Sequence, residues 1–188
     1  MRKMPKYRFD YQGYDTNKLK MIGRGHQGKV YLLPNDKVLK VFHNPDSCAR
    51  QVEILLKAQN SRFFPTVFGY DNNSIVMSFV YGSTLSFYLK QNNITKHLSL
   101  ELVQLIIEFK KLHFTKLDMR LGHIFLQPDE TVKVIDPRGS YEKKRPYPRS
   151  MLRGLQRVGE LRNFFNYIKY DYPDYYNYWR KMMSKGRY

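Results

Sequence analysis

The sequence predicts an α+β protein in two lobes: a five-stranded antiparallel sheet with one helix, then a reduced, mainly helical second lobe. Three observations carry that expectation. Residues 19–42 place β-branched and apolar clusters on either side of glycine and Pro-Asn-Asp breaks, the pattern of a β-meander. Beyond residue 83, apolar residues recur mainly at helical spacing. A chain of 188 residues, 42% hydrophobic and 15% aromatic, has the length and composition for a globular domain with a real core. The expected division is a single domain with lobes at 1–80 and 81–188.

Taken in order, residues 1–8 read as a short, solvated basic end. Residues 19–42 follow as strand, glycine turn, strand, a turn at 34–36, and strand. After the break at Asn44 to Asp46, either Asp46 or Ser47 is placed to cap a helix running to about Gln59. Ala49, Val52 and Leu56 form its apolar stripe, and Glu53 at the stripe's edge is expected to face the sheet. Residues 63–70 and 74–81 read as two further strands joined at the turn-forming Asp71, Asn72 and Asn73. Gly82 and Ser83 break the pattern, and residues 84–90 form a short helix. Ser99 is expected to cap a longer one, with Leu102, Leu105, Ile106, Phe109 and Leu112 on one face. Residues 117–139, LDMRLGHIFLQPDETVKVIDPRG, read as loop, strand, turn and strand, with Asp118 and Asp136 beside the two loops. Residues 149–167 look helical, with Leu152, Leu155, Val158, Leu161 and Phe165 inward. Trp179 is expected to anchor the last helix by packing. Cys48 is the only cysteine, which excludes an internal disulfide and suits a small buried residue on the first helix.

No apolar run approaches the ~20 residues that span a bilayer, and residues 1–20 lack the apolar centre of a secretory signal. A cytoplasmic protein is expected. The formal charge of +17 points to polyanionic ligands or partners. Lys and Arg outnumber Asp and Glu 13 to 6 in residues 1–80 and 13 to 4 in residues 138–188, whereas residues 81–137 are nearly balanced. The last segment also holds nine of the sixteen tyrosines. Aromatics interleaved with arginines can stack on bases while the charges track phosphates, so nucleic acid is one expected partner of the basic ends. Packing of those tyrosines on the second lobe is the competing reading.

The residues best suited to chemistry begin with IGRGHQGKVY, residues 22–31. Gly23, Gly25 and Gly28 let backbone approach phosphate oxygens, and Lys40, inside the apolar VLKVF, supplies a positive charge. Strands flank the glycines on both sides, which excludes a dinucleotide fold, and the spacing does not match a Walker A loop.

The series then resembles the protein kinase family. Ile22, Gly23, Gly25, Gly28 and Val30 resemble its glycine loop, Lys40 its β3 lysine, and Glu53 that lysine's partner on helix C. MSFVYG resembles the hinge, with Met77 as gatekeeper and the backbone of Ser78, Phe79 and Val80 available to adenine. Asp118 matches the catalytic base, Arg120 a phosphate-contacting cation, and Asp136 in IDPRG the metal-binding aspartate of DFG. His123 occupies the position of the second metal ligand, where the family has Asn. Imidazole suits Mn²⁺ better than Mg²⁺. Lys116 and Leu117 replace the first two residues of HRD, and Pro137 and Arg138 replace the last two of DFG. About fifty residues follow Gly139, so the likeness is closest to small atypical kinases of the RIO or minimal bacterial type.

The resemblance implies ATP with Mg²⁺ or Mn²⁺ as cofactors. It also implies transfer of the γ-phosphoryl group to a protein Ser or Thr hydroxyl, that of its own chain included. Two alternatives follow from the departures and from the shared paired-aspartate core: a pseudokinase-like module binding nucleic acid or an acidic partner, and a small-molecule kinase.

Overall fold

In the computed structural model the described residues are 10–137 and 139–185. The basic end at residues 1–8, Arg138 of the DPR triplet and residues 186–188 lie outside them. The chain is α+β and divides into two units, Met1–Gln59 with Pro65–Phe79 and Asn60–Phe64 with Val80–Tyr188.

In the first unit, Asp10–Tyr11 (β1) and Tyr14–Asp15 (β2) make a small hairpin that the sequence reading did not anticipate. Met21–Gly25 (β3), Gly28–Leu33 (β4) and Lys37–Phe42 (β5) form the expected meander. After the helix Pro45–Lys57 (α1) come Val67–Tyr70 (β6) and Ser74–Ser78 (β7). The five strands lie in the order β3-β4-β5-β7-β6, every neighbour antiparallel. At the β4–β5 turn Asn35 and Asp36 both adopt left-handed backbone (φ 58° and 53°), which these two residue types tolerate best after glycine. Asp71 holds the β6–β7 turn by accepting from the Asn73 and Ser74 N–H groups at 2.8 and 2.6 Å. Alternation along β5 puts Leu39 into a core with Leu33 and Val76, and turns Val38, Lys40 and Phe42 to the opposite face.

Helix α1 departs from expectation at both ends. Asn44, not Asp46 or Ser47, is the cap, its Oδ1 accepting from the Asp46 N–H at 2.7 Å with Pro45 in the first turn. The helix stops at Lys57 rather than near Gln59. Its buried residues include Cys48, Gln51, Val52 and Leu55, an i, i+3, i+4, i+7 stripe rotated from the expected one, so Ala49 and Leu56 are exposed.

The second unit contains Ser83–Thr84 (β8), Leu85–Tyr88 (α2), Lys96–Lys111 (α3), Ile124–Leu126 (β9), Val132–Val134 (β10), Arg149–Arg157 (α4), Leu161–Asp171 (α5) and Pro173–Lys185 (α6). Its small sheet runs β10-β9-β8. Thr95 caps α3 through the Leu98 N–H at 3.0 Å, one turn before the expected Ser99. Ser99 is buried inside the helix and donates back to the Thr95 carbonyl. Leu102, Leu105, Ile106 and Phe109 are all buried as expected.

The helix expected over 149–167 is broken in two at Gly159, which takes the left-handed backbone (φ 83°) that ends a helix. Trp179 is buried, 6.2 Å from the Phe164 ring and nearly parallel to it, so the packing role expected of it holds.

Residues 60–64 explain why the strand expected from Phe63 begins only at Val67. Phe64 joins Phe109 and Phe114 in an aromatic cluster, its ring centroid 6.0 Å from each of theirs. The Phe63 carbonyl accepts from the Val134 N–H at 2.7 Å, and Lys133 Nζ donates to the Arg62 carbonyl at 2.9 Å. Arg62 itself forms a two-pronged pair with Glu101, both contacts 2.7 Å. Among the described residues no helix is long and apolar enough to cross a membrane.

Candidate functional site

The glycine hairpin of the first unit turns at His26 and Gln27, joining β3 to β4. Its glycines do different work. A Cβ on Gly28 would lie 1.8 Å from the Val41 carbonyl oxygen, so close approach of β5 requires glycine there. A Cβ on Gly25 would meet nothing within 4 Å, and on Gly23 only Val30 at 3.6 Å. The first two glycines therefore leave the open backbone that a phosphate needs, while the third is needed for packing. Ile22 bulges from the ladder between the Met21–Tyr31 and Gly23–Val30 pairs and is exposed, with Val30 half-buried.

Lys40 is buried on the α1 side of β5. Its Nζ donates to Gln51 Oε1 at 2.7 Å and approaches Gln27 Oε1 at the hairpin tip, 3.5 Å away; it also lies 4.6 Å from the Phe42 ring centroid. The side chain expected from α1 was Glu53, and that expectation is corrected. Glu53 points outward, 59% exposed, and pairs with Lys57 at 2.8 Å. The stripe rotation described above is the reason: burying residues 48, 51, 52 and 55 puts Gln51 under the sheet and residue 53 on the outer face. Met77 is buried in β7. The Ser78 and Phe79 N–H groups are committed to the Thr66 and Asp36 carbonyls at 2.9 and 2.8 Å, and the division between units falls between Phe79 and Val80.

The second unit gathers the remaining candidates through the β9–β10 hairpin. Ile124 pairs with Val134, and the Ile135 N–H donates to the His123 carbonyl at 3.0 Å, so the backbones leading to His123 and Asp136 run side by side. Asp136 has left-handed backbone (φ 56°) immediately before Pro137. Aspartate tolerates that region better than most L-residues, but a following proline biases its neighbour towards extended backbone, so the strain at Asp136 comes from the step into Pro137.

Asp118 is buried in the loop preceding a single helical turn at Leu121–His123. Its Oδ1 accepts from the Ser150 and Met151 N–H groups at 2.8 and 3.3 Å, and its Oδ2 from Ser150 Oγ at 2.6 Å. The carboxylate thus caps α4, whose own preceding residue, Pro148, provides no side-chain cap. Burial raises its pKa above the ordinary 3.8, against the opposing hydrogen bonds from Ser150 and Met151. Lys116 is held below the usual lysine range by burial, while Asp118 and Asp136 both pull it the other way, so its charge senses both aspartates. Arg120 is exposed at the mouth of this loop. Thr115 to Leu117 are tied to the segment after Gly139 by hydrogen bonds with the Ser140 and Arg145 backbones.

Among the described residues no three His, Cys, Asp or Glu side chains gather as a metal site. Asp136 and His123, a carboxylate and an imidazole on neighbouring backbones, are the candidate pair for a divalent ion.

Gln51 and Ser150 were not anticipated. The i, i+3 relation to the buried Cys48 was the available signal for Gln51. Ser150 lies 32 residues from Asp118 and carries no local signal. Compared with known proteins, the chain matches no family model and no curated protein.

Proposed function

We propose that the chain is a kinase-like phosphotransferase that moves the γ-phosphoryl group of ATP to a protein Ser or Thr hydroxyl, with its own chain among the substrates. The observation that carries this reading is the strained Asp136. A non-glycine residue held left-handed before a proline costs on the order of 1–3 kcal/mol, and such strain collects where a side chain has to be aimed. The neighbouring His123 backbone and the nearby Lys116, whose charge Asp118 and Asp136 both favour, support that reading. In the first unit, the open backbone at Gly23 and Gly25 and the buried Lys40 support a phosphate-binding role.

The roles follow from the residues. Asp136 and His123 would hold Mg²⁺ or Mn²⁺, which when bound offsets charge on the β- and γ-phosphates. Lys40 would neutralise phosphate charge, and Arg120 the charge on the transferring group. Asp118, with three of its roughly four lone-pair sites already used, retains one for an acceptor hydroxyl proton, and its raised pKa improves it as a base near neutral pH.

A second reading, a nucleotide-binding module without catalysis, is favoured by that same cap, because a carboxylate engaged in holding a helix is explained without chemistry. Incubation with labelled ATP and either Mg²⁺ or Mn²⁺ separates the two. Label on the protein, lost in Asp136→Asn while nucleotide still binds, supports transfer. Nucleotide binding without label in either metal supports the module. Absence of both label and nucleotide binding overturns both readings.

A further inference from the structure

A furrow of about 880 Å³ runs beside α4 in the second unit. Leu89, Leu121 and Val158 give it an apolar floor, Lys90, Arg120, Arg153 and Arg157 surround it, and among the described residues no Asp or Glu lines it. Arg149, Arg153 and Arg157 recur every fourth residue on α4, all three exposed, and the helix contains no acidic residue. Four residues of helix advance ~6 Å, so the three guanidinium groups form a row ~12 Å long.

A solvated helix face would normally mix signs. Here like charges sit at i, i+4, where they repel, and Arg149 opposes the helix dipole in the first turn. Among the described residues none of the three arginines has an ion-pair partner. Two smaller recesses extend the row: one of about 250 Å³ adds Arg180 to Arg149 and Arg153, and one of about 490 Å³ sets Arg162 and Arg180 beside Phe165 and Tyr176. Neither is lined by an acidic residue.

We propose that the arginine row of α4 and its furrow bind single-stranded nucleic acid, phosphates on the guanidinium groups and bases over the apolar floor. Arginine's planar fork suits phosphate, and a regular row of cations suits a polymer with one charge per repeat. A duplex hides its base faces and gains nothing from the apolar floor. The furrow shares Arg120 and Ser150 with the phosphotransferase reading, but the three arginines of the row have no role in that reading.

The test uses the full chain with labelled oligo(dT) and oligo(U) across a salt series. The variant Arg149→Gln/Arg153→Gln/Arg157→Gln is compared with Lys18→Gln/Lys20→Gln/Lys29→Gln, an equal charge change in the first unit, and folding is checked by circular dichroism. Loss of three phosphate contacts should flatten the log–log salt slope by ~2 and weaken binding on the order of 10- to 100-fold at ~0.15 M salt. The lysine variant should retain most of the slope. Equal losses in the two variants, duplex binding as tight as single-strand binding, or displacement by polyglutamate at matched charge would overturn the proposal, the last in favour of an acidic protein partner. If the triple arginine variant unfolds, Arg153→Gln and Arg157→Gln singly should each flatten the slope by ~0.7, and no change in either overturns it.

Discussion

Asp118 carries two demands at one residue, and they can be separated. Asp118→Ala leaves the Ser150 and Met151 N–H groups without their acceptor. It should lower stability by ~1–3 kcal/mol in urea denaturation. Asp118→Asn keeps an acceptor and should lose less, so a loss of phosphoryl transfer in this variant reports chemistry rather than unfolding. The pH dependence has a definite sign. Because burial raises the folded pKa above 3.8, folding favours the protonated form. That contribution is complete below the unfolded value and is lost as pH rises through the folded one. The stability of wild type relative to Asp118→Asn should therefore fall across that window when denaturation is repeated at successive pH values.

Asp136 gives the opposite pairing of stability and activity. Asp136→Gly relieves left-handed strain and should hold or raise the melting temperature, by up to the equivalent of ~1 kcal/mol, while abolishing metal-dependent transfer. A fall in stability would show that the carboxylate's contacts outweigh the strain. The glycines divide in the same way. Gly28→Ala forces a Cβ onto the Val41 carbonyl and should destabilise the sheet by several kcal/mol, whereas Gly25→Ala should leave the melting temperature unchanged and weaken only nucleotide binding.

Among the elements, α1 and the 60–64 segment show how one local choice redirects a side chain. The helix stripe is set by which residues the sheet can bury, and burying residues 48, 51, 52 and 55 in place of 49, 52 and 56 puts Gln51 rather than Glu53 at Lys40. Residues 63 and 64 are as apolar as a strand requires, yet the aromatic cluster of the second unit claims Phe64 and the Val134 N–H claims the Phe63 carbonyl. Phe64→Ala should cost ~3–5 kcal/mol, because Phe64 is only 2% exposed within that cluster. Phe68→Ala, at a β6 position 53% exposed, should cost under ~1 kcal/mol by the same thermal or urea measurement.

At the scale of the whole chain, the charge of +17 is unevenly used. Lys57, Arg62, Lys96 and Lys111 are paired with carboxylates in the fold. Among the described residues the arginines of α4 have no such partner, which makes a surface feature out of what composition alone presents as a diffuse excess.

Patterns that depend on nearby residues were readable from the sequence. Alternation in KVLKVF, the turn residues at 34–36 and 71–73, and the apolar spacing from Leu102 to Phe109 each specify a local geometry, and each forms where expected. Cys48 and Trp179 were placed correctly because a lone cysteine and a large aromatic in helical context have few other stable positions than a core. Two helix caps were displaced by a turn or less, since Asn44 and Thr95 compete with neighbours of equal propensity and packing decides among them, and the break at Gly159 was missed because apolar spacing continues across it. What only the tertiary structure decided is the partner of each buried polar group. Lys40 meets Gln51 and Asp118 meets Ser150 because burial orients a whole face at once and then requires the nearest hydrogen-bonding group to satisfy the charge, and no spacing within the sequence encodes which group that is.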